Sequence, residues 1–341
     1  MLGVTRRGIM GLAVGAAALT TMHAGEAGAQ TAITFVTPNP SAITIAPLWV
    51  AIGEGYFAEA GLDITVEAVD GSSQVLQAMA AGQAQIGLPG PGPVLAARER
   101  GVDVVFIYNL YAKSVFGVMV KDESAYQSPA DLKGQVVGIG TADGAEVAFA
   151  RAILSDLGMS EGTDYTFLPV GDGGTAAVAF MRDEVEAYAA AVVDSAILAS
   201  RGLQLREITP EQYLAFFGNG FAALRETIDQ NPELIESFGK ALVRGMKFAL
   251  DPANLETVLA HCAAGNPQEG EDQAFATSLL AATLERMTPT DAFLDQGFGY
   301  QPPEHWQLWH QSAVDSGTLS AALPDLEAAY TNEYIEGWNA D

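Results

Sequence analysis

Covalent chemistry has few candidates in this chain of 341 residues. Beyond residue 29 the histidines are His261, His305 and His310. The last two are five apart, so they do not share a helix face as the ligands of an H-x-x-x-H metal site do, and the adjacent His261 and Cys262 point in different directions on a helix. Cys262 is the single cysteine, which excludes an intrachain disulfide and a cysteine-rich metal centre. Neither a G-x-S-x-G elbow nor a phosphate-binding P-loop occurs. Residues 138–144 form a G-x-G-x-x-x-G run between a strand and a helix that could cradle a pyrophosphate, but the strand-terminal acid expected about 20 residues later is missing, because Asp164 precedes its strand. Hydrogen-bonding chemistry is better supplied. Six loops, at residues 39–46, 71–74, 89–93, 141–144, 171–175 and 194–195, combine glycine for close backbone approach with hydroxyls and the amide of Gln74. Where such loops open helices, the free N–H groups favour an anionic or electron-rich partner.

These loops fall between alternating strands and helices. Residues 32–36, 64–68, 86–88 and 104–110 read as strands; 48–60, 72–81 and 93–101 read as helices, with Pro47 and Pro93 at starts and Gly61 as a C-terminal stop. The run 104–110 is almost wholly apolar, as in a strand buried on both faces. The pattern then restarts, with strands at 117–120, 136–139, 165–169 and 187–192 and helices at 145–157, 175–181 and 195–201. From residue 227 the reading is helical, at 232–250, 271–285, 303–315 and 326–338. Two α/β units with parallel, doubly wound sheets follow from this alternation. In such sheets ligands sit at the carboxyl ends of strands, where all six loops lie. Trp306 and Trp309 share a helix face with Ala313 and read as packing.

The chain carries 16 Lys+Arg against 42 Asp+Glu, a net charge of -26, with 49% hydrophobic residues. That apolar share excludes a disordered acidic tail, and the missing basic face excludes nucleic acid as a partner. The N-terminus reads as an address: Arg6-Arg7, a short apolar run over 11–18 and an A-x-A site at 27–29 make a twin-arginine-type signal over residues 1–29. The mature protein is then expected in the periplasm. Cleavage removes two arginines and one glutamate, making the charge one unit more negative, and no other apolar stretch is long enough to cross a bilayer.

Residues 46–64, APLWVAIGEGYFAEAGLDI, resemble the solute-binding proteins of ABC importers, in the group that binds sulfonate, nitrate, taurine and thiamine-pyrimidine precursors. Residues 77–88, 128–134 and 177–189 fit the same family, in order. The resemblance implies a type II periplasmic binding protein, two doubly wound α/β lobes joined by two crossing strands with a helical C-terminal region. It places lobe one at 32–114 and 217–341 and lobe two at 115–216, with crossings near 113–116 and 216–221, where Gly218 and Gly220 could absorb hinge rotation. By place, it implies ligand contacts from Thr44, Ala46, Trp49, Ser73, Gln74, Pro91 and Gly92 in lobe one and from Thr141, Asp143, Gly144 and Asp194 in lobe two, with Asn109 and Tyr111 facing the cleft. The implied partners are a small-molecule ligand, an ABC permease and its ATPase; a monomer is expected, with no cofactor and no metal. The family's enzymatic pyrimidine-synthase branch carries a cysteine-rich motif, which a lone Cys262 does not supply. No Lys or Arg falls in the six loops and only Lys113 lies near a crossing, so the reading leans to an organic, nitrogen-containing or aromatic solute, with sulfonate left open. Two other functions fit the residues: an exported enzyme using Asp143 with Asp194, and a sensory binding module without a permease.

Overall fold

A computed structural model describes residues 30–140, 142, 145–171 and 173–340. The export signal, and Thr141, Asp143 and Gly144 of the expected site, lie outside the described residues. One sheet holds β1 (Thr31–Thr37), β2 (Leu62–Ala68), β3 (Ile86–Gly87), β4 (Val104–Tyr108) and the late strand β10 (Phe221–Leu224), in the order β2-β1-β3-β10-β4. The second holds β5 (Phe116–Lys121), β6 (Val136–Ile139), β7 (Thr166–Pro169), β8 (Ala187–Ala191) and β9 (Leu205–Glu207), in the order β7-β6-β8-β5-β9. The first sheet is flanked by α1 (Ala46–Gly53), α2 (Tyr56–Glu59), α3 (Gly71–Ala80) and α4 (Pro91–Glu99), and the second by α5 (Ala145–Asp156), α6 (Gly174–Met181), α7 (Val192–Ser200) and α8 (Glu211–Leu214). The C-terminal helices are α9 (Arg225–Gln230), α10 (Pro232–Leu250), α11 (Leu255–Gly265), α12 (Gln273–Met287), α13 (Pro303–Asp315) and α14 (Ile335–Asn339).

The sheets are mixed rather than parallel. A chain that crosses to the other lobe enters its sheet from the hinge side and must run against its neighbours, so β10 pairs antiparallel with β3 and β4, and β5 antiparallel with β8 and β9. The single helix expected over 48–60 is two pieces. Gly55 takes φ +77, a left-handed conformation that ends α1 before α2 begins. Helix α4 opens at Pro91 rather than Pro93, and both prolines occupy positions whose N–H no helical bond needs.

The helix expected over 326–338 is replaced by a 3-10 turn (Glu327–Ala329), a short extended stretch and the short α14. The carbonyl of Phe106 on the sheet-edge strand β4 accepts hydrogen bonds from Thr331 N–H at 3.0 Å and Gln301 Nε2 at 3.1 Å, so the segment satisfies an open sheet edge instead of coiling. Trp306 is fully buried, donates to Gln301 Oε1 and stacks on Tyr330, which fixes α13 over this strap.

The crossings run side by side. Tyr111 N–H donates to the Asn219 carbonyl, Gly218 N–H to the Tyr111 carbonyl and Ser114 N–H to the Leu214 carbonyl, at 3.0–3.2 Å. Gly218 and Gly220 serve close approach. A side chain at Gly218 would overlap Val115 and Tyr111, and one at Gly220 would overlap the Phe106 ring and the Tyr108 carbonyl.

Candidate functional site

On the lobe-one side, the loops at the strand ends are tied to one another. The loop before α1 is shaped by Thr44, which is buried and whose hydroxyl donates to the Ser41 carbonyl at 3.0 Å; its own carbonyl accepts from the Tyr111 hydroxyl at 2.7 Å. Tyr111 therefore joins the first loop to the first crossing, and burial pushes its hydroxyl far above the ordinary phenol range. The loop before α3 is joined to the one before α4 by Ser72, whose Oγ accepts from Gly90 N–H at 3.0 Å. Pro91 and Gly92 are buried at the start of α4, where Gly92 faces the Trp309 ring. Ser73 and Gln74 are exposed, and the Gln74 side chain folds back on Asp70 N–H at 3.4 Å.

Asn109, 4% exposed, donates its backbone N–H to the Gly299 carbonyl at 2.9 Å and points Nδ2 at the Tyr300 carbonyl, 3.5 Å away. Its Oδ1 has no hydrogen-bond partner among the described residues, and neither has the buried Thr37 Oγ1 at the carboxyl end of β1. Asn109 also lines a recess of about 10 Å³ with Ala112, Thr290, Phe293 and Tyr300, room for one water. Two expected contacts lie in packing. Ala46 is fully buried in an apolar cluster, and the Trp49 indole lies on Gly265 of α11, where any side chain would overlap the ring.

Lobe two repeats the device with an acid. Asp194, in the first turn of α7, accepts from Gly173 N–H at 3.0 Å and Ala191 N–H at 3.3 Å, joining the loops before α6 and α7. The Tyr188 hydroxyl adds a bond to the Gly171 carbonyl. Between the lobes, Ala196 of α7 shares one apolar cluster with Ala42, Ile43, Ala46 and Val50, so this flank of the cleft is closed by contact.

Sequence reasoning missed two contributors, Asn219 and Glu269. Asn219 Nδ2 donates to the Leu88 carbonyl, holding the return crossing against the end of β3; a polar residue between two glycines was the available signal. Trp309 Nε1 donates to the Phe217 carbonyl and its ring meets Phe216 edge-on, the packing role expected for it but placed at the hinge. Glu269 is remote in sequence from the first loop, yet its Oε2 accepts from Ala42 N–H at 2.8 Å and Ile43 N–H at 3.0 Å.

The electrostatics are thus self-contained. Backbone donors on both sides are held by the chain's own carboxylates, and Lys113, the expected cation near the crossing, is paired with Glu285 at 2.6 Å. No group of three His, Cys, Asp or Glu able to hold a metal occurs among the described residues. Cys262 is buried, and that burial, with Glu269 nearby, pushes its thiol up to about 12, which keeps it in the protonated form at neutral pH.

Two α/β lobes of matching strand order, crossed twice and with helix-opening loops gathered at the strand ends, define the fold of the two-lobed periplasmic binding proteins. The chain belongs to the family described as NMT1/THI5 like, whose profile matches residues 42–254. It is 30% identical over 312 residues to the riboflavin-binding protein RibY of Chloroflexus aurantiacus, covering 86% of this chain and 83% of that protein. It is 26% identical to a formylaminopyrimidine-binding protein of Halalkalibacterium halodurans, over 76% of this chain and 78% of the relative. A 4-amino-5-hydroxymethyl-2-methylpyrimidine phosphate synthase of Saccharomyces cerevisiae matches less, 26% over 60% of this chain and 64% of the enzyme. In structure, the periplasmic aliphatic sulphonate binding protein SsuA from Escherichia coli superposes with a TM-score of 0.68 at 18% identity, over 87% of this chain and 91% of SsuA.

Proposed function

We propose that this chain is an extracytoplasmic solute-binding protein that captures a small organic solute, a nitrogen-containing or aromatic heterocycle, between its lobes and delivers it to an ABC permease with its ATPase. The observation that carries this reading is the filling of the loop donors by Glu269 and Asp194. A sulfonate or nitrate needs such N–H groups, or a free cation, to replace its hydration. A neutral heterocycle needs apolar area and a few oriented polar atoms, and the buried, unpartnered Asn109 Oδ1 supplies one such acceptor. The names of the two binding-protein relatives, for riboflavin and for formylaminopyrimidine, point the same way.

Lobe one contributes Thr44, Ser73, Gln74, Pro91, Gly92, Asn109 and Tyr111 to the proposed cleft, and lobe two contributes Thr141, Asp143, Gly144 and Asp194. The twin-arginine-type signal read in residues 1–29 supports a periplasmic location, where the protein would act as a monomer. A binding rather than catalytic role is favoured by the buried, high-pKa thiol and by the use of Asp194 in capping. The test is mass spectrometry of small molecules released from protein purified without denaturation. A bound heterocycle that also raises the melting temperature on re-addition supports the reading. A bound sulfonate, or turnover of the released compound, contradicts it.

A further inference from the structure

The hinge side of the molecule carries a chain of charges that the proposed cleft does not use. Lys113 Nζ lies 2.6 Å from one oxygen of Glu285, whose other oxygen lies 3.4 Å from Arg286 Nε; Arg286 Nη2 then lies 2.7 Å from Glu207 Oε2. The four residues come from three places. Lys113 is on the first crossing, Glu285 and Arg286 are in the last turn of α12, and Glu207 ends β9 in the sheet of lobe two. The side chains grade from solvent inward, with Glu285 56% exposed, Glu207 25% and Arg286 9%.

Backbone and packing fix the same junction. Lys113 N–H donates to the Arg286 carbonyl at 3.0 Å. Gly117, at the start of β5, leaves the room that the carboxylate takes, since a Cβ there would stand 2.5 Å from Glu207 Oε1. That oxygen is buried and has no hydrogen-bond partner among the described residues, so Glu207 depends on Arg286 for its compensation. Along its length α12 lies against lobe two, with Ala276, Leu279 and Leu280 in the apolar cluster that takes in Ala196 of α7.

We propose that Lys113, Glu285, Arg286 and Glu207 form an interlobe latch that holds lobe two against the end of α12 and biases the empty protein toward the closed arrangement. Rotation of lobe two away from α12 separates Glu207 from Arg286 and leaves the still-buried guanidinium without its 2.7 Å partner, whereas closure restores a neutral chain of two cations and two carboxylates. Glu285, being exposed, contributes less than Glu207. The latch acts on the empty protein and does not depend on which solute the cleft takes.

Small-angle X-ray scattering of the mature, ligand-free chain tests it. Wild type should be compact, with a radius of gyration near roughly 20 Å. Glu207→Gln and Arg286→Met should each raise it by roughly 1 Å at unchanged circular dichroism, the signature of lobe opening without unfolding. Glu285→Gln should give a smaller rise of the same sign. If Glu207→Gln and Arg286→Met fold and leave the radius unchanged, the latch is wrong. If either fails to fold, the exposed Glu285→Gln decides, and an unchanged radius for it overturns the proposal. A failure of solute binding would leave these scattering results as they stand.

Discussion

Both sheets follow one plan, with the strand from beyond the crossing inserted antiparallel beside the last strand: β10 between β3 and β4 in lobe one, β5 between β8 and β9 in lobe two. Their fillings differ. Lobe one packs large rings, with Phe35, Tyr108, Phe221, Phe238 and Trp338 in one buried cluster and their centroids 5.3–6.0 Å apart where they pair. One face of lobe two is filled by Ala176, Ala177, Ala179 and Ala190 around Phe180 and Tyr188, and Leu157, Leu168, Val178 and Met181 remain exposed. Burial of apolar area scales the stabilisation, so this alanine-rich face of lobe two is held less strongly than the ring cluster of lobe one.

The largest effect that could break this contrast is in the ring cluster. Trp338→Ala should lower the unfolding free energy by about 3–5 kcal/mol in urea titrations, because the indole is 2% exposed and packed on Tyr108, Tyr334 and Gly239. Leu198→Ala in lobe two should fall toward the lower end of about 2–5 kcal/mol, since neighbouring alanines can close over the gap. Equal losses would erase the distinction.

A smaller effect concerns the close approach of α11 to α1. Gly53→Ala should cost about 1–3 kcal/mol, because the added methyl overlaps the His261 ring and displaces its 2.7 Å bond to Glu54. Glu269→Gln should cost about 1 kcal/mol, read as a lower melting temperature, since a neutral amide is a weaker acceptor for Ala42 and Ile43 N–H than a carboxylate.

The smallest is a pH effect. Burial lowers the His305 pKa from 6.5, against an opposing pull from Glu304, so its folded value lies below its unfolded one. The unfolded chain then binds the proton first; this contribution to stability is present above the unfolded pKa and is lost as pH falls through the folded one. His305→Gln should flatten the acid side of the urea midpoint against pH below 6.5.

Local signals explain what was legible in the sequence. The helix at 303–315 was readable because Pro303 stands at a first helical position. The strands β9 and β10 were not, at three and four residues, since they become strands only by pairing with segments far away in the chain. The break at Gly55 was hidden because glycine within an amphipathic run is also compatible with a continuous helix. In the candidate site the loops were legible through their glycines and hydroxyls. Glu269 was not, being one of 42 acids and meeting the first loop only through the packing of α11 and the turn after it.

With its loop donors already held by internal carboxylates, the proposed cleft should favour a neutral heterocycle over an anion. Isothermal titration calorimetry of the mature protein with riboflavin, a pyrimidine and an alkanesulfonate tests it directly. One of the heterocycles should bind at least roughly tenfold more tightly than the sulfonate, a difference of about 1.4 kcal/mol. Tighter binding of the sulfonate than of either heterocycle would contradict it.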